Sequence, residues 1–258
     1  MSCGELSFHD FPNQDQTASF FEDKIARYSS TSLTMMLYPL LVLTAALLTD
    51  SVVSRDLQSP INTDVGVANT IRDTLKDNEI IGDVLDDFEP SYALDIVYPK
   101  HHEVVSLGND IPVKHVQHRP TFTFRSINPA ALSTNKTFII ALTDPDAKSR
   151  MNPKWSEMCH WLINITKISV DGPRGNAYAL KQTGELKGYK PPGPPPKTGP
   201  HRYVFVLLEG DKDAAASEPK DRQHWGYGKP RHGVRDWAKE NNLNIVGANF
   251  FFAENEKQ

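Results

Sequence analysis

Short apolar segments separated by turn-forming residues make up most of the chain after residue 90. They are rich in β-branched and aromatic residues, and Pro, Gly, Asn or Asp bounds them: "ALDIVYP", "EVVSLGNDIPV", "TFTFRSI", "KTFIIALT", "CHWLINITKI", "RYVFVLLEG" and "NIVGANFFFAE". Such segments are typical of β-strands. Because helical patterns are missing between most of them, the chain is predicted to be mainly β, with an antiparallel sandwich or barrel.

Two stretches carry the spacing of amphipathic helices instead. In "NEIIGDVLDDFEP" apolar residues recur every three or four positions, aspartates occupy the other face, and Pro90 marks the end. In "GVRDWAKENNL" the residues Val234, Trp237 and Ala238 share one side. We therefore predict a helix in each stretch.

Residues 1–60 differ in pattern from the rest and are interpreted as an N-terminal extension. They contain the apolar run "LTMMLYPLLVLTAALLTDSVV" at 33–53, followed by the linker-like "SRDLQSP". The uninterrupted core of this apolar run is shorter than the ~20 residues of a membrane-spanning helix, and Pro39 lies within the run. Three interpretations stay open: a peripheral or membrane-anchoring helix, a signal sequence behind a misassigned start, and a packed surface helix.

Charge and cysteine content narrow the classes of partner. The formal net charge is -4 and the isoelectric point is near 6.1, which gives no general attraction to nucleic acid. Cys3 and Cys159 do not form a disulfide framework. We expect a cytoplasmic protein, or a secreted or membrane-associated one if residues 33–53 act as a signal or an anchor.

Two segments combine residues that suit chemistry rather than packing alone. In "ALTDPDAKSRMNPKWSEMCHWLI" a strand opens into a doubly acidic turn and returns with a histidine among apolar residues. In "YKPPGPPPKTGPHRYVF" proline excludes helix and central strand, so a stiff exposed loop leads into a second histidine. A rigid loop beside a histidine on a strand is suited to form the wall of a pocket.

Together these segments resemble the paired signature of the phosphatidylethanolamine-binding protein family, also called the Raf kinase inhibitor protein family. The stretches "NEIIGDVLDDFEPS" and "DRQHWGYGKPRHGVRDWAKENNLNIVGANFFFAE" resemble its carboxypeptidase Y inhibitor branch. The resemblance covers the chain from about residue 67, so we predict an extension at 1–60 and a domain of this family at 67–258. It implies an antiparallel β-sandwich with peripheral helices and a small anion pocket at one end.

The resemblance also implies which residues form that pocket. The ligand-binding positions are Asp144, His160, Gly193, Pro194, His201 and Trp155, and the supporting positions are Asp146, Arg202 and Tyr203. Lys148 stands where the family usually has proline, and Met158 where some members carry an aromatic residue. The pocket mouth is therefore expected to carry an extra charge and to have a different ligand preference.

The residue types are compatible with binding a phosphorylated small molecule or a phospholipid head group. Histidine N–H groups and loop amides near Gly193 supply donors for phosphate oxygens. Asp144 either holds a histidine in the required tautomer or receives the ammonium of an ethanolamine group. Asp146 and Arg202 are expected to brace the turn and the loop through a charge-assisted hydrogen bond. No metal or cofactor is expected.

The leading hypothesis is a non-enzymatic binding protein that inhibits a serine carboxypeptidase such as carboxypeptidase Y, or that modulates signalling partners. One alternative is a phospholipid head-group sensor that contacts membranes through residues 33–53. Another is a phosphoester hydrolase, or a metal site of two histidines and a carboxylate. Against catalysis, Cys159 is expected to point to the opposite strand face from His160.

Overall fold

A computed structural model describes residues 63–127, 136–171, 177–212 and 214–258. Residues 57–258 belong to one compact unit. The predicted extension at 1–60, with its apolar run at 33–53, lies outside the described residues, so the proposed boundary at residue 67 stays a prediction. In the described part of the chain, no helix combines the length and the apolar character needed to cross a bilayer.

The described residues form one hydrogen-bonded series of strands in the order β2-β1-β4-β7-β6-β5-β8-β9-β3. The strands are β1 (Tyr92–Tyr98), β2 (Glu103–Val105), β3 (Asn109–Asp110), β4 (Thr121–Ser126), β5 (Lys136–Asp144), β6 (Met158–Asp171), β7 (Ala177–Lys187), β8 (His201–Asp211) and β9 (Asn244–Ala253). Neighbours are antiparallel except for the short β3, which pairs parallel to β9. The series folds over, so that Tyr92 of β1 packs edge-on against Phe138 of β5 at 5.5 Å although the two strands are not hydrogen-bonded neighbours.

Two apolar layers result from the alternation of side chains along the strands. On β8, Tyr203, Phe205 and Leu207 enter the inner core between the two halves of the folded sheet. Val204, Val206 and Leu208 point the other way, into a helix-side core beneath the helices. Because one face of β8 is covered by the inner core and the other by the helix-side core, the sequence of this strand is a continuous apolar run. The prediction of a mainly β sandwich with peripheral helices is confirmed.

The prediction of a helix within residues 78–90 is wrong in extent. The long helix, α1, spans Thr63–Asp77, and the following helical turn, α2, spans only Ile80–Asp83. Ile81 is extended and Gly82 has φ +117°, a conformation that breaks a helix and that glycine tolerates. The apolar spacing is nevertheless real, because Ile80, Val84 and Leu85 are buried in the helix-side core.

The C-terminal helix was predicted from the sequence pattern, whereas one strand was not. The predicted helix is present as α3, Val234–Glu240, with Val234, Trp237 and Ala238 buried. Strand β7 was missed, because "AYALKQTGELK" is rich in polar residues and contains a glycine. It forms through pairing with β6 on one side and β4 on the other.

Candidate anion-binding site

The pairing of β5 with β8 brings the acidic turn and the proline loop to one edge of the sheet. Asp144 ends β5 and His201 begins its antiparallel neighbour β8, so the two residues meet although 57 positions separate them. His201 Nδ1 lies 2.9 Å from Asp144 Oδ2. The other oxygen, Oδ1, accepts a hydrogen bond from the Asp146 amide at 2.7 Å, which closes the turn. Both side chains are buried.

The partners of His201 indicate that its ring is an imidazolium. A carboxylate only accepts, so Nδ1 carries a proton. The hydroxyl of Thr198 donates its single proton to the Pro195 carbonyl at 2.8 Å, so it accepts at 3.0 Å from a second proton on His201 Nε2. Burial lowers the pKa of His201, but the hydrogen bond and charge of Asp144 outweigh burial and leave the pKa raised.

A β-bulge aims His160 at this cluster. Leu142 pairs with Trp161 and Thr143 pairs with Cys159, so His160 is an extra residue between two ladder positions. Cys159 points into the helix-side core and Trp161 into the inner core. The His160 ring packs edge-on against Tyr203 at 5.3 Å, on the face opposite to Cys159. The bulge has no signal in the sequence and could not have been predicted from it.

His160 offers an acceptor rather than a donor. Its Nδ1 lies 2.7 Å from the Lys190 carbonyl, which only accepts, so Nδ1 carries the proton. Burial lowers the pKa of His160, despite the opposing charge of Asp144, and the neutral ring therefore presents a lone pair on Nε2. This departs from the expectation that both histidines supply N–H groups to a ligand.

Tyr203 and Gly193 complete the inner part of the site. The ring of Tyr203 stacks on that of His201 at a centroid distance of 6.4 Å. Burial raises the pKa of the Tyr203 hydroxyl well above its ordinary value, Asp144 adds to this, and the Gly193 backbone opposes it. Gly193 itself is exposed, and a Cβ built on it would meet nothing within 4 Å, so the space beside it is open. Pro194 is buried behind it.

Trp155 lies at the rim of the site, where the 147–155 turn rejoins β6. Its amide donates to the Ala147 carbonyl at 2.8 Å, and its half-buried ring lies beneath the Lys148 ammonium, 4.2 Å from the ring centroid. Lys148 therefore makes a cation–π contact at the pocket mouth. Lys148, which stands where the family usually has proline, thus contacts Trp155, the aromatic residue predicted for the pocket mouth.

Arg202 and Asp146 form a separate buried pair behind the site. The Arg202 guanidinium donates from Nε to Asp146 Oδ2 at 2.9 Å and from Nη2 to Oδ1 at 2.7 Å, a bidentate arrangement. It also donates to the Asn78 carbonyl at 2.9 Å and to Asp83 Oδ2 at 3.0 Å. The pair therefore joins the acidic turn to the segment between α1 and α2.

Arg222 is a supporting residue that sequence reasoning missed. Its guanidinium donates to the carbonyls of Cys159 and His160 at 3.1 and 3.2 Å, and to that of Gly188 at 2.8 Å. It thus clamps the bulge that orients His160. The available signal was its place in "DRQHWGYGKP", a stretch that resembles the inhibitor branch.

Two further features of the described residues concern a possible metal site and the position of a cavity. In the described ranges, no cluster of three or more His, Cys, Asp and Glu side chains has the arrangement of a metal site. A cavity of about 550 Å³ lies between β4, β6 and β7, lined by Arg119, Pro120, Thr121, Phe122, Trp161, Ile163 and Glu185. It shares no residue with the predicted site, which is instead a compact hydrogen-bonded cluster with open space at Gly193.

Comparison with known proteins identifies the class. Residues 101–251 match the profile of the phosphatidylethanolamine-binding protein family. The chain is 35% identical over 218 residues to the carboxypeptidase Y inhibitor of Saccharomyces cerevisiae, covering 75% of this chain and 99% of the inhibitor. It is also 36% identical over 203 residues to an uncharacterised protein of the same yeast, covering 77% of this chain and 96% of that protein. The chain belongs to the phosphatidylethanolamine-binding protein family.

Solved structures place it more narrowly within that family. A crystal structure of carboxypeptidase Y inhibitor complexed with its cognate proteinase aligns with a TM-score of 0.68 and 36% identity, covering 76% of this chain and 100% of that chain. A phosphatidylethanolamine-binding protein from Plasmodium vivax shares the fold, with a TM-score of 0.57 and 19% identity, over 71% of this chain and 97% of its own. The resemblance to the inhibitor branch is confirmed. The similarity to carboxypeptidase Y inhibitor agrees with a non-enzymatic protein.

Proposed function

We propose that this protein inhibits a serine carboxypeptidase and that its site at Asp144, His160 and His201 binds a phosphate-bearing ligand. The observation that carries the inhibitor role is the match to carboxypeptidase Y inhibitor along 99% of that protein's length. A match of this extent includes the whole folded domain and not only the pocket segments. The chain additionally carries residues before the matched region, and their effect on inhibition is part of the test.

Titration of carboxypeptidase Y activity tests the inhibitor role directly. We expect stoichiometric loss of peptidase activity with the full chain, and a chain beginning at Ser54 shows whether the extension contributes. A metal-dependent carboxypeptidase serves as the control, because a specific inhibitor leaves it active. Full activity of carboxypeptidase Y with both forms at micromolar concentrations would contradict the proposal.

Ligand binding is argued from the protonation states of the two histidines. His201 supplies a positive charge, and a ligand oxygen competes with Thr198 for its Nε2 proton. The neutral His160 supplies a lone pair, which accepts the proton of a singly protonated phosphate. A phosphate monoester has its second pKa near ~6 and so carries that proton in a fraction of molecules near neutrality. The site therefore matches a phosphate monoanion better than a dianion.

The hydrogen bonds of Asp144 favour one of its two predicted roles. Both of its oxygens are engaged within the protein, one by His201 and one by the Asp146 amide. Asp144 therefore orients and charges His201, and an ethanolamine ammonium would have to compete for an oxygen already in use.

Calorimetry with phosphorylethanolamine and with inorganic phosphate separates the two roles of Asp144. We expect Asp144→Asn to weaken binding of both ligands about tenfold or more, the size of a lost charge-assisted hydrogen bond. Asp110→Asn, at an exposed position on β3, is the matched control and should bind as the parent does. If only phosphorylethanolamine weakens, Asp144 receives the ammonium. If neither ligand binds the parent protein, the site is not an anion site.

A further inference from the structure

The cavity between β4, β6 and β7 lies where two strands of the folded sheet separate. Strand β4 pairs with β7 from Thr123 to Arg125, whereas its first two residues, Thr121 and Phe122, pair among the described strands only with β1. Strand β7 continues past this point along β6 as far as Lys187. The gap between β4 and β7 therefore opens the end of the inner core and leaves a cavity of about 550 Å³. Cavities of this size are usual for small-molecule ligands.

Aromatic and aliphatic side chains form the walls of this cavity. Trp161 and Ile163 belong to the inner core and are only 2% and 3% exposed, and Phe122 packs against that core. The rings of Phe122 and Trp161 have centroids 5.7 Å apart and are inclined at 81° to each other. Two rings at nearly a right angle make a corner in which a third flat ring stacks on one and presents its edge to the other. The walls therefore suit a flat aromatic group.

One ion pair supplies the charge at the rim of the cavity. Arg119, whose side chain is 60% exposed, donates from Nη2 to Glu185 Oε2 at 2.8 Å. The other carboxylate oxygen, Oε1, accepts a hydrogen bond from the indole N–H of Trp161 at 2.9 Å. Glu185 stands opposite Ile163 on the paired strand, and such partners share one face of a sheet. An otherwise apolar cavity thus carries one cation and one anion.

The two charges of this pair are not equally available to a ligand. Both oxygens of Glu185 already accept hydrogen bonds, and a carboxylate that turned towards a ligand would leave the buried Trp161 donor unpaired. Arg119 has five N–H groups, and within the described residues its hydrogen bond goes from Nη2 to Glu185 alone. A ligand carboxylate can therefore bind Arg119 while the ion pair stays in place, whereas a ligand ammonium would have to compete for Glu185.

We propose that this cavity is a second ligand site, which takes a small aromatic carboxylate with its ring against Phe122 and Trp161 and its acid group on Arg119. An apolar cavity of ~150 Å³ holds one benzene ring, so the volume present leaves room for two fused rings and an acid group. The cavity shares no lining residue with the predicted anion site. The proposal therefore does not depend on the phosphate ligand proposed above.

Calorimetry of the full chain with three naphthalene probes tests the charge preference. We expect naphthylacetate to bind about tenfold or more tightly than its neutral amide, naphthylacetamide, and the cation naphthylethylamine to bind no more tightly than the amide. Arg119→Gln should abolish the preference for the acid without weakening the amide. Arg150→Gln, at an exposed arginine paired with Glu79, is the matched control and should bind as the parent does.

Three calorimetric results would overturn the proposal. They are no binding of naphthylacetate at millimolar concentration, tighter binding of naphthylethylamine than of the acid, and a preference for the acid that survives Arg119→Gln.

The indole N–H resonance of Trp161 locates the bound probe. The chain has four tryptophans, and Trp161→Phe identifies the Trp161 signal in a proton–nitrogen correlation spectrum. Naphthylacetate should shift that signal. The signals of Trp225 and Trp237 should stay in place, because their indole N–H groups donate elsewhere, to the Thr143 hydroxyl and the Ser217 carbonyl. An unshifted Trp161 signal in the saturated complex would overturn the assignment to this cavity.

Competition separates this cavity from the phosphate-ligand site. Saturating inorganic phosphate should leave the affinity for naphthylacetate unchanged, and so should Asp144→Asn. Phe122→Leu should weaken the acid and the amide alike, by about three- to tenfold, because one ring of the corner is lost. The same variant should keep the parent's affinity for phosphorylethanolamine. Displacement of naphthylacetate by phosphate would place the acid in the other site and overturn this inference.

Discussion

Two ion pairs lie side by side where β5 ends and β8 begins, and they serve different purposes. His201 pairs with Asp144 on the face of the inner core, and Arg202 pairs with Asp146 on the face of the helices. Successive residues of a strand point to opposite faces, so His201 and Arg202 lie on opposite sides of β8. The acidic turn supplies a carboxylate to each of them. The sequence of both segments is nearly symmetrical in charge, yet the two cations have different kinds of partner.

The difference lies in the kind of partner that holds each cation. The guanidinium of Arg202 has Asp146, Asp83 and the Asn78 carbonyl as partners and holds three segments together. The imidazolium of His201 has one carboxylate and one hydroxyl, and the hydroxyl of Thr198 is a neutral partner that a ligand can replace. A buried cation held by two carboxylates and a backbone carbonyl acts as a brace, whereas a cation with a neutral hydroxyl partner can exchange that partner for a ligand oxygen.

The largest expected effect comes from breaking the brace. Arg202→Met leaves Asp146 buried without its partner, and we expect the free energy of unfolding to fall by about 3–5 kcal/mol. His201→Gln, which disrupts the pair on the other face, should cost about 1–3 kcal/mol. Denaturant unfolding of the two variants measures both values. Equal losses would mean that the two pairs do not differ as their hydrogen bonds indicate.

Glu157 contrasts with the two buried ion pairs, because it is a buried carboxyl group without a cationic partner. It accepts from the Thr143 hydroxyl at 3.0 Å and from the Val234 amide at 3.3 Å, and its Oε1 has no partner. Burial raises its pKa to about 8, so the folded protein binds a proton that the unfolded chain releases above about pH 4.5. The stabilisation that protonated Glu157 contributes is complete below about pH 4.5 and is lost as the pH rises through about 8.

The pH dependence of unfolding tests this state of Glu157. Between about pH 5 and 8 the unfolding free energy should fall by about 1.4 kcal/mol per pH unit from this group. Glu157→Gln should flatten the profile over that range, since glutamine does not titrate. Glu185→Gln is the matched control at an exposed carboxyl. An unchanged slope in Glu157→Gln would show that the carboxyl is already ionised in the folded protein.

A smaller effect is expected in the pH dependence of ligand binding at the His201 pair. The raised pKa of His201 keeps its charge below and near neutrality, and the charge is lost as pH rises through that pKa. The phosphate proton that forms the hydrogen bond to His160 is also lost as the pH rises. Affinity for phosphorylethanolamine should therefore fall between pH 6 and 8, with a limiting slope of about tenfold per pH unit for each proton that binding requires. Affinity that rises with pH in calorimetry would contradict both assignments.

The smallest effect is expected at the exposed pair that lies near the brace. Arg150 and Glu79 are 2.8 Å apart, but both are solvent-exposed, so screening leaves little net stabilisation. We expect Arg150→Gln to unfold at nearly the same denaturant concentration as the parent. A loss comparable with that of Arg202→Met would show that this pair belongs to the brace.

The strand segments were accessible from the sequence for a physical reason, whereas the positions of the predicted pocket came from the family resemblance and stay a prediction. Alternating or continuous apolar runs reflect how many faces of a strand are buried, which is a local property. The helix at residues 78–90 was misplaced because Ile80, Val84 and Leu85 reach the helix-side core without a regular helix. Apolar spacing reports burial, and a backbone with Gly82 at positive φ satisfies the same burial differently.

The sequence by itself determined that acidic, histidine and proline segments lie in a β-sandwich of this family. Only the tertiary structure decided the state of each group. His160 became an acceptor because a bulge aims it and the Lys190 carbonyl holds its proton, and Arg202 became a brace because Asn78 and Asp83 lie against it. These partners come from segments as far as 124 positions away, and hydrogen-bond geometry depends on their packing and not on any local pattern.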